Sequence, residues 1–199
     1  MTCIVAIRDP ATRTILVAAD SRCSMGDSML KTTLPKSNGK VFEVAGFVLG
    51  LTGNARIRHL ASSLNVNFGK NGPNAKFDLE TTLLDVIVPK LKELAKKYDF
   101  YEVKNGIPSL RGHMLIAFAN QMCQIGDAFA VTPITGPYWA VGSGAYFALG
   151  SLFTSDHADT TVRERALKAL AAASHFTDTV GPPFIVKETK SFREMRKDK

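Results

Sequence analysis

Apolar and polar positions at the start of the chain form two short strands. Ile4 and Ala6 continue the face of Thr2, and a turn at Asp9, Pro10, Ala11 and Thr12 follows. A second apolar run, 15–19, ends at a lone carboxylate, Asp20. This pattern predicts a β-hairpin around which the remaining elements are arranged. The polar stretch 21–39 is rich in turn residues and is expected to be irregular with a short strand. Residues 40–44 and 47–51 predict a second hairpin turning at Ala45 and Gly46.

Helical spacing begins after Thr52, Gly53 and Asn54, where Ile57, Leu60, Ala61 and Leu64 share one face. A loop over 69–75 leads to Asp78, a good N-cap for the longest helix, about 79–98. Its stripe is Leu83, Leu84, Ile87, Leu91 and Leu94, and Pro89 inside it predicts a bend or local break. Residues 113–118, 121–125, 128–131 and 138–141 then read as successive antiparallel strands. Gly142, Ser143 and Gly144 lead into a small-residue helix, 145–153. A second, alanine-rich helix spans 160–175 and a last strand 183–186. The order predicts two antiparallel sheets with helices packed outside.

Composition narrows the class. A chain of 199 residues that is 45% hydrophobic can bury one sizeable core, so a single domain over 1–186 is expected, followed by a basic tail over 187–199. The tail carries Lys187, Lys190, Arg193, Arg196, Lys197 and Lys199 against Glu188, Glu194 and Asp198, and reads as a solvated segment rather than a nucleic-acid surface. No apolar run approaches the ~18 residues of a membrane span, and no basic region precedes an apolar one at the N-terminus. No membrane partner and a cytoplasmic location are therefore expected. Cys3, Cys23 and Cys123 are odd in number and lack ligand spacing, which fits reduced thiols. No metal cluster or phosphate-cradling glycine loop is seen, so no cofactor is expected. His59, His113 and His157 are scattered and read as structural or surface residues.

The candidate chemistry lies at the start. Thr2 follows the initiator methionine, and its small side chain favours removal of Met1. A free N-terminal threonine carries a weak nucleophile, its hydroxyl, and a general base, its α-amine of pKa near ~8, on one residue. Asp20 is a lone carboxylate at a strand end and could be a plain turn former. Three lysines, Lys31, Lys36 and Lys40, follow Asp20, and only Lys40 begins an apolar strand. Gly53 also suits a turn, and Ser143 a helix N-cap.

Taken in order, the hairpin from Thr2 to Ala18-Ala19-Asp20-Ser21, the Lys40-Val41-Phe42 segment, Gly50-Leu51-Thr52-Gly53 and Ala140-Val141-Gly142-Ser143-Gly144 resemble proteasome β-type subunits. The resemblance is to the N-terminal nucleophile hydrolase superfamily, closest to its compact bacterial and phage proteasome-like members. It implies a four-layer αββα sandwich and an intracellular, ring-forming threonine peptidase. By resemblance Thr2 is the nucleophile, Lys40 lies beside its hydroxyl, and Asp20 holds that lysine. Gly53 offers its N–H to the oxyanion, and Ser143 bonds near the threonine amine. The implied partners are copies of the chain and a peptide or unfolded protein substrate; whether an ATP-driven unfoldase feeds the chamber stays open.

One region departs from the pattern. The family carries an aspartate and a serine after the last long helix; here His175 falls near the aspartate and Asp178 near the serine. This leaves open how the amine is steadied, and with it full activity. Two alternatives follow: an amidase acting on a small acylated compound, since the same chemistry cuts any amide, and a non-catalytic shell or scaffold subunit.

Overall fold

Hydrophobic residues on both faces of the first two strands dictate the layering. In the computed structural model, which describes residues 2–25, 28–33, 39–66, 76–156 and 159–195, β1 (Cys3–Asp9) and β2 (Thr14–Ala19) are the centre of a sheet ordered β12-β1-β2-β13. β12 spans Tyr138–Gly142 and β13 Ile185–Glu188. Along β1 the side chains alternate between two apolar environments rather than between core and water. Ile4 and Ala6 face a second sheet, whereas Cys3, Val5 and Ile7 face helices.

The second sheet runs β11-β10-β9-β6-β5. Its strands are β5 (Val41–Val44), β6 (Phe47–Leu51), β9 (Met114–Phe118), β10 (Gln121–Ile125) and β11 (Val131–Pro133). Ile4, Ile15 and Val17 from the first sheet meet Val48, Leu115, Ala117 and Met122 from the second in the middle core. Two outer cores complete the stack. α4 (Ala145–Thr154) and α5 (Val162–Phe176) cover the first sheet through Ala148, Leu152, Ala169 and Leu170. α1 (Arg56–Ser62), α2 (Leu79–Thr82) and α3 (Val88–Lys97) cover the second through Ile57, Leu60, Leu79 and Leu91. The architecture is the expected four-layer αββα sandwich. Among the described residues no helix is long and apolar enough to cross a membrane.

The structure differs from the sequence reading at definite places. The stretch after Asp20 contains a full hairpin, β3 (Arg22–Met25) with β4 (Ser28–Thr33), in place of one short strand. A second small hairpin, β7 (Glu102–Lys104) with β8 (Ile107–Ser109), was not expected, since its strands are short and half-exposed. The strand expected at 128–131 lies at Val131–Pro133 instead, because Phe129 adopts a positive φ of 61° and closes a turn.

The long helix is interrupted one turn earlier than its proline. Leu83–Ile87 is a π-helical segment, and Pro89 stands at the start of α3. Proline removes an N–H and crowds the preceding turn, and a widened π turn just before it accommodates both effects. That turn rotates the stripe: Leu83, Ile87, Leu91 and Leu94 stay buried, but Leu84 is half exposed.

The end of the fold also lies beyond residue 186. Lys187 and Glu188 pair with Val17 and Leu16, and the Thr189 N–H donates to Ile15 O over 3.0 Å. Phe192 in α6 (Phe192–Met195) then packs 6.1 Å from the Phe118 ring. Part of the expected tail is therefore a working edge of the sandwich.

The two sheets approach closely at Gly50. A Cβ there would lie 2.6 Å from Ile4 Cγ2 and 3.3 Å from its Cδ1. Gly50→Ala is expected to lower stability by about 2 kcal/mol, the usual cost of overpacking. Urea unfolding measures this, and an unchanged midpoint would contradict the close sheet contact.

Candidate functional site

Strand register assembles the site at one end of the middle layers. Cys3 on β1 is aligned with Gly142 on β12, which sets Thr2 beside Ser143. Ile4 is aligned with Ala19 on β2, which sets Asp20 beside Cys3. Lys40 immediately precedes β5, and the Leu51 N–H donates to its carbonyl over 3.0 Å, fixing the backbone from which its side chain projects.

Asp20 is completely buried. Its Oδ1 accepts from Lys40 Nζ over 2.8 Å and from the Cys3 N–H over 3.0 Å. Oδ2 accepts from the Arg22 N–H over 3.1 Å and from the Gly181 N–H over 3.3 Å. A buried carboxylate survives only when paired and fully hydrogen-bonded, and these donors meet that condition. The Lys40 side chain is 9% exposed. Burial pulls its pKa below the ordinary 10.5, and the Asp20 charge and hydrogen bond oppose that pull without cancelling it. The ammonium thus holds its proton less tightly than a surface lysine does.

Thr2 is buried, and its N–H donates to Ser143 Oγ over 3.3 Å. The Ser143 hydroxyl lies 3.3 Å from Thr2 O and 3.5 Å from Thr179 Oγ1. Ser143 is not the helix cap: the N-cap of α4 is Gly144, with no side-chain capping bond. Gly142 makes the close approach possible. It has a φ of 101°, and a Cβ there would collide with the Thr2 carbonyl.

Four expected site residues, Thr2, Asp20, Lys40 and Ser143, therefore meet. Gly53 stands beside them through its neighbour Thr52, whose Cγ2 would lie 3.4 Å from a Cβ on Gly142. Gly53 itself has a φ of 94°, and a side chain there would collide with the Arg111 carbonyl and reach within 2.6 Å of Gly112 Cα. Turn geometry alone thus requires a glycine at 53. Lys36 lies outside the described residues, as does His157.

In the departing region both His175 and Asp178 are exposed. His175 is exposed in the last turn of α5, its ring edge-on to Phe176 at 4.8 Å. Asp178 is exposed, and its carbonyl accepts from Arg22 Nη1 over 2.6 Å. The hydroxyl that faces Ser143 belongs to Thr179, which is buried and which sequence reasoning missed. Arg22 and Gly181 were missed too. The Arg22 guanidinium lies flat where a Gly181 side chain would be, 2.6 Å from an added Cβ, and so pins the 178–181 turn to Asp20. The glycine at 181 was a usable signal.

Burial, with the Asp20 charge adding to it, pushes the Cys3 thiol up to about 12. It stays protonated at neutral pH and is no rival nucleophile.

No protein-family model matches the chain, and no curated protein matches it. Solved structures do. Thiobacillus denitrificans BPH in complex with epoxomicin is 20% identical with a TM-score of 0.73, over 95% of this chain and 98% of that one. Eukaryotic HslV from Trypanosoma brucei is 18% identical with a TM-score of 0.65, over 95% and 99%. Anbu, an ancestral beta-subunit from Yersinia bercovieri, is 19% identical with a TM-score of 0.64, over 98% and 84%. The chain shares the fold of these proteasome-like structures.

Two outcomes follow from the buried pair. Asp20→Asn turns an amide NH2 toward backbone donors and is expected to cost about 3 kcal/mol in denaturant unfolding; a loss under 1 kcal/mol would contradict the donor set. Lys40 binds its proton less tightly folded than unfolded, so between its folded pKa and 10.5 the unfolded chain holds more protons. Stability relative to Lys40→Met should therefore rise with pH across that window, and thermal melts from pH 7 to 10.5 that show it falling would reverse the assignment.

Proposed function

We propose that this chain is a threonine peptidase that cuts peptide bonds with Thr2 after removal of Met1, working in the cytoplasm as a ring of copies of itself. The observation that carries the reading is the buried Asp20–Lys40 pair sharing one carboxylate oxygen with the Cys3 N–H, directly after Thr2. A buried ion pair replaced by hydrophobic residues is often no less stable, so its presence beside a hydroxyl and an amine favours chemistry over packing.

In this mechanism the Thr2 hydroxyl attacks the substrate carbonyl carbon while its proton passes to the freed α-amine. The Lys40 ammonium lowers the cost of the developing alkoxide, and Asp20 keeps that ammonium in place. The N–H of Gly53 meets the negative charge that grows on the carbonyl oxygen. Collapse of the tetrahedral species breaks the C–N bond, and the α-amine returns the proton to the leaving amine. Water then attacks the acyl ester on Thr2, frees the acid and restores the hydroxyl. Ser143 stands 3.3 Å from the Thr2 nitrogen, with Thr179 behind it, so this pair of hydroxyls helps to orient the amine in the region where the family carries an aspartate and a serine.

The outer helices support assembly. Tyr146 and Phe153 on α4 are 86% and 74% exposed, and Phe147 stacks on Phe176 with centroids 5.3 Å apart. Such an aromatic face suits contact with a second copy. A chamber closed by such contacts would keep a promiscuous peptidase from its neighbours. A scaffold subunit is the second reading, favoured by the outward positions of His175 and Asp178, the residues that fall near the family's aspartate and serine.

Thr2→Ala is expected to abolish peptide hydrolysis while leaving fold and oligomer intact; surviving turnover would exclude the mechanism. Lys40→Ala should do likewise in a fluorogenic peptide assay, whereas loss confined to Lys36→Ala would move the cation. Thr179→Val should lower kcat about tenfold with KM unchanged, as for a group that orients a base. A raised KM with kcat unchanged would instead assign it to substrate binding.

A further inference from the structure

At the opposite end of β1 from Thr2, roughly 20 Å along the strand, lies a cavity of about 700 Å³. Its walls come from three separate segments: the β1–β2 turn, the β9–β10 turn and the start of α6. Arg8, Arg13 and Arg193 line it together with Thr12 and Asn120, and no carboxylate is among the described lining residues.

The three arginines differ in their commitments. Arg8 is half-buried, and its guanidinium donates to Asn120 O and, over 3.1 Å, to Ile134 O. Both acceptors are neutral, so its charge is not compensated there. Arg13 stands at a φ of 57° in the tight β1–β2 turn. Among the described residues neither Arg13 nor Arg193 makes a side-chain hydrogen bond or ion pair. The nearest carboxylates in sequence are already engaged: Asp9 Oδ1 accepts from the Ala11 and Thr12 N–H groups, and Glu194 Oε2 accepts from the Ser191 N–H and hydroxyl.

Three guanidinium charges converging on one cavity, with two forks free to bind, form a focused positive potential. Guanidinium forks match phosphate oxygens bidentately. The free forks sit on different segments that line one cavity, and a chain of linked phosphates offers an oxyanion group to each of them. The volume is that of a small-molecule site rather than of one ion. We propose that this cavity binds a linear phosphate chain, free or carried by a nucleotide, which ties the β1–β2 turn to α6. The site is separate from Thr2 and does not rest on the peptidase reading.

The test is isothermal titration of the intact protein with sodium triphosphate, ATP and citrate at low salt. One saturable triphosphate site is expected, weakened at least tenfold in Arg13→Ala/Arg193→Ala and several-fold by added salt. Both arginines lie on the surface, so circular dichroism of the double variant should match the parent. Equal affinity for triphosphate and ATP assigns recognition to the phosphate chain alone; tighter ATP binding identifies a nucleotide as the ligand. Absence of saturation, binding retained by the double variant, or citrate binding as tightly as triphosphate would each overturn the proposal. Thr2→Ala should bind as the parent does, so failure of the peptidase reading leaves this result unaffected.

Discussion

A single buried carboxylate ties the parts of this protein together. Asp20 ends β2, yet its donors come from the start of β1, the start of β3, the residue before β5 and the turn before β13. Removing an ionised group from water costs several kcal/mol unless good geometry returns it, so the carboxylate is stable only where all these segments arrive together. The demand acts across both sheets, because Lys40 belongs to one and Asp20 to the other. The requirement that buries the charge therefore also fixes the relative placement of Thr2 and the lysine.

The layers around it supply the rigidity. β1 is buried on both faces, so one strand anchors two cores and small shifts in register would disturb both. The same strand carries Thr2 at one end and Arg8 at the other. Glycines set the closest contacts: Gly50 lets the sheets meet at Ile4, and Gly142 lets β12 pass the Thr2 carbonyl. A side chain at Gly142 would displace the Thr2 carbonyl, and one at Gly50 would displace the Ile4 side chain.

Much of this was legible in the sequence because it depends on local patterns. The hairpins at 3–19 and 41–51 follow from alternation and turn residues. Lys40 was preferred over its rivals because it begins an apolar strand, and its Nζ lies 2.8 Å from Asp20 Oδ1. What was not legible depends on contacts distant in sequence. Thr179 reaches Ser143 only because α5 and its turn return to β12, and nothing local to 179 signals that. The α2–α3 interruption was anticipated from Pro89, but its form as a π turn, which exposes Leu84, follows from packing that spacing alone does not encode. The edge role of 187–195 was hidden by charge. Lysines there suggested solvent, while Thr189 and Phe192 make the contacts that hold the segment.

The central claim is that Thr2 becomes a free N-terminal nucleophile served by the Asp20–Lys40 pair. Intact mass of the purified protein, before and after treatment with a peptide epoxyketone, tests it most directly. Such an electrophile needs both a hydroxyl and an amine on one residue to form its adduct. The account predicts loss of Met1 and a single adduct per chain, absent in Thr2→Ala. Retained Met1 with no adduct would contradict it and shift the weight to a scaffold subunit.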